Sequence, residues 1–392
     1  MQPRRTASAV HAACRTLPMK KEHILVIRFS ALGDVAMMVP VVWQLAQRYP
    51  DVRITVLSRP FARQLFCDLA PNVNFMAADV KTDYHGVKGL NRLYRRLTAK
   101  QFTAVADLHS VLRSDYLRMR FCLGHYRVEH IRKNRHDRRR LVAPEGKKEL
   151  VQLSSPFEKY CEVLERLGYP VGEITFRSIF EGSERSEHSE ISEHSEHSET
   201  SAPPRGNLNL LPQAIGQKRR GEQWIGVAPF SAHKGKDYPI EKMRQVVEML
   251  AERYPRARFF LFGRGQRETM VFDQWTAELR RCLNVSQHTE TMYEELILMS
   301  HLDVMISMDS ANMHLASLTA TPVVSIWGAT HPLAGFMGWK QRPENVVQAD
   351  LPCRPCSIYG QKSCRRGDYA CLNTISAAAV AERVQAVIDS AE

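Results

Sequence analysis

The chain has 392 residues, 44% hydrophobic and 24% charged, and 54 Lys and Arg against 42 Asp and Glu give a formal net charge of +12. This is an ordinary globular balance, but the length exceeds what one apolar core usually serves, so two domains are expected. No apolar run approaches the roughly 20 residues needed to span a bilayer, and the positive excess calls for an anionic partner: nucleic acid, a lipid surface or a phosphorylated small molecule.

Residues 1–21, MQPRRTASAVHAACRTLPMKK, are basic and lack a continuous apolar segment, which reads as a disordered extension rather than a secretory signal. Three α/β units follow in what is expected to be one domain, residues 22–180. ILVIRF leads into AMMVPVVWQLAQRYP, VRITVLSR into PFARQLFCDLA, and FTAVADLH into a helix carrying SVLRSDYLRMRFCL. Short apolar strands alternating with helices imply a doubly wound parallel sheet. A further helical period covers 149–168. At 182–201 the pattern collapses into GSERSEHSEISEHSEHSETS, a low-complexity tract with almost nothing to bury, so 181–222 reads as a linker. A second α/β series begins with WIGVAPF and runs over 223–373, and an amphipathic helix is expected within 374–392. Ligands of such a pair of sheets sit outside the carboxyl ends of the strands, in the cleft between them.

Four elements at strand ends carry polar chemistry. In RFSALGDVAMMVP a single glycine, Gly33, precedes Asp34. Dinucleotide folds need three spaced glycines at that turn, and a carboxylate there would repel a phosphate. The loop PFSAHKGKDYP offers Ser231, Lys234 and Lys236, and a lysine is a compact point charge suited to a phosphate. FGRGQRE offers Glu268, placed to hydrogen-bond a ribose or simply to favour a helix start. In MDSANMHLA, residues Asp309, Ser310, Ala311 and Asn312 open a helix whose free amides could receive a diphosphate, with His314 one turn further on. The plainer alternative is that Asp309 or Ser310 caps that helix.

These elements, in this order, resemble the glycosyltransferase family that contains the lipopolysaccharide heptosyltransferases. The matching pieces are RFSALGDVAMMVPVVWQLAQRYP, APFSAHKGKDYP, FLFGRGQRE and DSANMHLASLTATPVVSIWGAT. The resemblance implies a GT-B fold of two Rossmann-like domains facing across a cleft, and an inverting transfer from a nucleotide sugar, ADP-heptose in the best-known members. It implies that Asp34 is the general base on the acceptor hydroxyl and that Lys236 steadies the departing diphosphate. Ser231 matches a hydroxyl residue of the same loop, Glu268 a nucleotide-contacting acid, and Asp309, Ser310 and His314 the family's D-[ST]-G-x-x-H segment. Ala311 stands where that segment has glycine. On the acceptor side Arg113 matches a basic contact. The run RKNRHDRRR at 132–140, with Arg135, suits an anionic lipid-linked saccharide or the inner face of the cytoplasmic membrane, or is a solvated loop. Lysine and helix-end amides supply the positive charge the leaving group needs, so no catalytic cofactor is expected.

Cysteine usage divides the chain. Five scattered cysteines fit free thiols in a reducing cytoplasm. Cys353, Cys356, Cys364 and Cys371 cluster as C-x2-C-x7-C-x6-C, and four thiolates at short spacing raise the expectation of a structural zinc, with free packed thiols as the alternative. The rival readings are the same fold with another nucleotide sugar or acceptor, a nucleotide-binding module without catalysis, and a nucleic-acid-binding protein. The last lacks aromatics interleaved with the basic run and any reading motif.

Overall fold

A computed structural model describes residues 22–182 and 202–390. The N-terminal extension and the Ser-Glu-His tract lie outside the described residues. Five parallel strands form the first sheet: β1 (His23–Ile27), β2 (Arg53–Ser58), β3 (Val73–Ala77), β4 (Ala104–Asp107) and β5 (Arg127–His130), ordered β3-β2-β1-β4-β5. Six form the second: β6 (Trp224–Ala228), β7 (Arg258–Leu261), β8 (Cys282–Asn284), β9 (Val304–Met308), β10 (Val323–Trp327) and β11 (Val346–Gln348), ordered β11-β10-β9-β6-β7-β8. The central strands β1, β6, β9 and β10 are buried at every position, which is why they read as continuous apolar runs rather than alternating ones. In each sheet the order reverses at the first strand, which puts a crevice at its carboxyl end.

Departures from the sequence reading have local causes. The single helix expected from Ala36 is two, Leu32–Ala36 and Val39–Arg48. Pro40 is the second residue of the latter and has no N–H to offer the Ala36 carbonyl, so the ladder breaks there. The helix expected at 60–70 is a short 3₁₀ segment, Pro60–Leu65. Strands β3, β5 and β11 and helix Gly86–Thr98 were not singled out, because these strands are half-buried edges without an apolar run. The basic run is partly helical, Arg135–Leu141, anchored by buried Leu141.

Beyond the undescribed tract, the chain is fixed to the second sheet. Ile215 is fully buried, the Gly206 N–H donates to Ser300 Oγ at 3.0 Å, and Lys218 pairs with Asp303 at 2.6 Å. The closing helix, Ala377–Asp389, packs on Ile240–Arg253.

The two sheets are joined by a shared apolar core that includes Ile24, Val35 and Met38 from one half and Trp224, Leu298 and Met313 from the other. Helix Leu32–Ala36 lies against helix Ala311–Leu318, so the two sequence motifs meet face to face. Among the described residues no helix is long and apolar enough to cross a membrane.

Candidate active site

The end of β1 delivers Arg28 and then the short helix carrying Asp34. Arg28 is buried, and its guanidinium pairs with Asp34 Oδ2 at 2.7 Å and donates to the Leu108 carbonyl. The Ala31 N–H donates to the same Asp34 oxygen at 3.3 Å. Tyr160, fully buried, donates its hydroxyl to the Asp34 carbonyl at 3.1 Å and lies beneath the Arg28 guanidinium. Burial pushes the Asp34 carboxyl up, but Arg28 and the Ala31 amide outweigh it and hold the carboxyl below its usual range. Asp34 therefore takes a capping contact as well, yet its carboxylate keeps 26% of its surface open and lines a cavity of about 260 Å³.

That cavity is strongly cationic. Arg28, Arg132, Lys133, Arg138 and Lys159 line it, and among the described residues Asp34 is the only acid that does. Lys159 is 4% exposed and makes no hydrogen bond or ion pair among the described residues, and its pKa is lowered first by burial and then by Arg138. Lys133 Nζ donates to the Ser110 carbonyl at 2.6 Å, which ties the end of β5 to the end of β4. His109 is pushed down to about 3 by burial, with Arg28 and Lys133 adding to it, and is neutral at neutral pH. Phe336 and Tyr359 of the second half close the cavity, and Arg138 donates to the Tyr359 hydroxyl at 2.6 Å. Neither predicted acceptor contact lines it: Arg113 and Arg135 are both exposed, on the first turns of helices Leu112–Leu123 and Arg135–Leu141. Arg132, Lys133 and Arg138 belong to the basic run that the sequence singles out; Lys159 and Arg28 were missed because Lys159 reads as an ordinary helical lysine and Arg28 as the end of a strand.

The second half meets this site at His314. Its ring is buried against Gly33, where a Cβ would come within 2.6 Å of His314 Cδ2. The single glycine of the opening motif makes room for this ring, not for a phosphate. Burial pushes the His314 pKa down to about 4, opposed by Asp309 and Asp34 and aided by Lys236, and its Nδ1 has no hydrogen-bond partner among the described residues. Lys236 Nζ pairs with Asp309 Oδ2 at 3.3 Å, both largely buried. Ser310 occupies the N-cap position but makes no cap hydrogen bond with its side chain, which instead lies 3.3 Å from Ser307 Oγ. Asp309 is engaged with Lys236. The capping alternative therefore fails for both, and the first amides of the helix, from Ala311 and Asn312, are left without a side-chain cap.

The 229–239 loop is organised by Asp237, which the sequence reading did not single out. Its Oδ1 accepts from the Ser231 N–H and hydroxyl, both at 2.8 Å, and its Oδ2 pairs with Arg267 at 2.9 Å. Lys234 turns away from Lys236 and sits over the Tyr369 ring at 5.1 Å. A larger cavity of about 710 Å³ lies on that side, lined by Ser231 and Lys234 but not by Lys236, Asp309, Ser310 or His314. Glu268 is the third residue of helix Gln266–Glu278 and folds back over Gly263 and Gly265. The structure thus brings Asp34, Lys236, Asp309, Ser310 and His314 to one place and leaves Glu268 and Lys234 apart.

The zinc expectation finds no support: no group of three or more metal-ligating side chains assembles among the described residues. Cys353, Cys356, Cys364 and Cys371 are free thiols, and burial pushes Cys371 up to about 11, opposed by Arg354 and aided by its three neighbouring cysteines. The segment is held instead by buried Arg354, which donates to the carbonyls of Trp327, Gly328, Thr330 and Ala349 and to Gln348.

Two parallel-sheet halves that close a polar cleft make up the GT-B fold, and the chain belongs to glycosyltransferase family 9 (heptosyltransferase), whose profile matches residues 90–366. The matched range contains Lys236, Glu268 and Asp309–His314 but not Asp34. The chain is 22% identical over 316 residues to the lipopolysaccharide core heptosyltransferase OpsX of Haemophilus influenzae, covering 79% of this chain and 80% of that protein. Its fold is similar to that of the family 9 glycosyltransferase of Veillonella parvula, with TM-score 0.67, 17% identity and coverage of 95% and 99% of the two chains. It is similar also to the ADP-heptose lipopolysaccharide heptosyltransferase II of E. coli, with TM-score 0.60, 16% identity and coverage of 94% and 99%.

Proposed function

We propose that the chain transfers a heptose from ADP-heptose, with inversion, to a hydroxyl of a lipopolysaccharide core or related lipid-linked saccharide. The observation that carries this reading is the meeting of Asp34 with the His314 helix at a cationic cavity. An inverting displacement needs a base on the acceptor oxygen and positive charge on the departing diphosphate. Asp34, ionised by Arg28 and open to the cavity, takes the hydroxyl proton as that oxygen attacks the anomeric carbon. Lys236 and the amides of residues 311–312 receive the diphosphate, which displaces Asp309 from Lys236. Neutral His314 offers its ring nitrogens to the donor as hydrogen-bonding groups rather than as charge. Lys159, Arg138 and Lys133 hold an anionic group of the acceptor beside the attacked hydroxyl, a role first assigned to Arg113 and Arg135.

The chemistry needs no metal in this scheme, and the site is expected to work in the cytoplasm, where ADP-sugars are made. A panel of nucleotide sugars tests the donor by thermal shift, because a ligand that binds only the folded chain raises its stability. ADP-heptose is expected to give the largest shift and to yield a product of inverted anomeric configuration. A larger shift with a UDP- or GDP-sugar, or a retained configuration, contradicts the proposal.

A further inference from the structure

Two helices on one flank of the first sheet carry a surface that the site does not use. Helices Gly86–Thr98 and Leu112–Leu123 lie side by side, joined by the Tyr94 and Phe121 rings at 5.1 Å and by a 2.9 Å hydrogen bond from the Tyr116 hydroxyl to Asn91. Leu90, Leu93, Leu97, Leu117 and Phe121 point inward and are buried. The outward side is unusual in two respects.

The first is charge. Helix Gly86–Thr98 carries Lys88, Arg92, Arg95 and Arg96 and no acid. Helix Leu112–Leu123 carries three arginines and one acid, Asp115, which Arg118 engages at 3.0 Å. Lys88, Arg95 and Arg113 are exposed and make no ion pair among the described residues. Asp107 at 3.1 Å and Asp115 neutralise only Arg118 of this helix pair, so most of its positive charge stays unbalanced.

The second is the apolar stripe. Leu112, Met119 and Leu123 are 89%, 49% and 70% exposed, and Val87 on the neighbouring helix is 60% exposed. A lone exposed leucine is ordinary. Positions 112, 119 and 123, however, fall at i, i+7 and i+11 and so form one stripe along the helix, flanked by the unpaired cations. Leucines edged by lysine and arginine match the chemistry of a membrane interface: acyl boundary for the stripe, phosphate headgroups for the cations. A nucleic-acid surface would leave those leucines in water.

We propose that the outer face of these two helices docks the chain on an anionic lipid bilayer, with Leu112, Met119 and Leu123 entering the headgroup boundary and Lys88, Arg95 and Arg113 lying among the phosphates. This surface is distinct from the 132–140 run that the sequence singled out. The stripe begins one residue after Val111, which lines the Asp34 cavity, so docking sets the cavity mouth at the lipid surface. That functional sense rests on the acceptor being lipid-linked; the docking itself does not.

Sedimentation of the full chain with phosphatidylcholine vesicles, with and without phosphatidylglycerol, tests the proposal. The chain is expected to sediment with the anionic vesicles only. Leu112→Ser/Leu123→Ser and Lys88→Glu/Arg95→Glu should each weaken this by about tenfold or more, with unchanged thermal midpoints. ADP-heptose stabilisation and transfer to a water-soluble, delipidated acceptor should be unaffected by either pair, so failure of the donor reading leaves the vesicle result standing. Failure to sediment with anionic vesicles, equal binding to neutral ones, or wild-type binding by either variant overturns the proposal. Release of bound protein by an equal charge of duplex DNA would give the surface to nucleic acid and overturn it as well.

Discussion

Replacing Gly33 with alanine tests the contact on which the site is built. The added methyl would lie 2.6 Å from His314 Cδ2 and 3.3 Å from Nε2. Carbon atoms settle at about 3.5–4.0 Å, so the ring must retreat by about 1 Å. His314 is 6% exposed and packed within a helix whose neighbours are buried, so the ring has little room, and overpacking of this kind costs about 1–3 kcal/mol. An opposing effect exists: alanine is favoured over glycine inside a helix by up to about 1 kcal/mol, less near an end. Gly33 is the second residue of a five-residue helix, so only part of that is available. The balance predicts that Gly33→Ala lowers stability by about 1–2 kcal/mol. In a His314→Ala background the clash is gone, the helix term is left alone, and the same methyl should raise stability by a few tenths of a kcal/mol. Urea unfolding of the four proteins of this cycle measures both changes. A neutral or stabilising Gly33→Ala in the native background, or the same loss in both backgrounds, refutes the contact.

Three further outcomes follow from the charges around the cavity. Arg28→Met removes the cation that holds the Asp34 carboxyl down, so the acid limb of the kcat/KM profile should move to higher pH by about one unit or more. Ionised Asp34 also contributes stability that is present above its unfolded pKa and lost as pH falls through its folded value; urea midpoints of the variant should show a weaker version of that loss. Lys159→Met should raise the acceptor KM with little change in kcat or in donor affinity, and should leave stability unchanged or higher, because it replaces an unpaired buried cation with an apolar chain of similar length. A lowered acceptor KM would contradict that placement. His314, pushed down to about 4 from an unfolded value near 6.5, refuses a proton that the unfolded chain accepts, so acidification through that window favours unfolding, by at most about 3 kcal/mol. His314→Gln should flatten stability between those pH values; an unchanged slope would mean that the ring is not buried neutral.

Much of the fold was legible because its central strands are buried on both faces. HILVI, WIGVA and VMISM could be nothing else at that length, and the periodic helices between them fixed a parallel arrangement. The strands that escaped notice, β3, β5 and β11, lie at the edges of their sheets, where a face meets solvent and the apolar run dissolves. The site was legible in part for a similar reason. Asp34, Lys236 and the Asp309–His314 segment each follow a buried strand, so their positions at one rim could be read from the chain. What joins them could not. Nothing in the spacing reveals that Gly33 faces His314 across the two halves, that Arg28 folds back onto Asp34, or that Lys159 from a helix more than a hundred residues later reaches the same cavity. The same limit explains the cations of the cavity: the sequence offered the densest basic run, whereas the cavity selects cations by direction, taking Arg132, Lys133 and Arg138 from that run and leaving Arg135 at the surface. For the cysteines, spacing along the chain gave no measure of whether four thiols reach a ligating arrangement, nor that Arg354 ties that segment to the carbonyls around it.

The most direct test of the whole account is a single-turnover measurement of heptose transfer from ADP-heptose to a lipopolysaccharide core acceptor by Asp34→Asn. Asparagine keeps the shape at the cavity wall and can still accept from Arg28, but cannot take a proton. General-base catalysis contributes about 10²–10⁴-fold, so transfer should slow by that factor while ADP-heptose still raises the thermal midpoint as in the native chain. Transfer within about threefold of the native rate would contradict the assignment of Asp34 as the base.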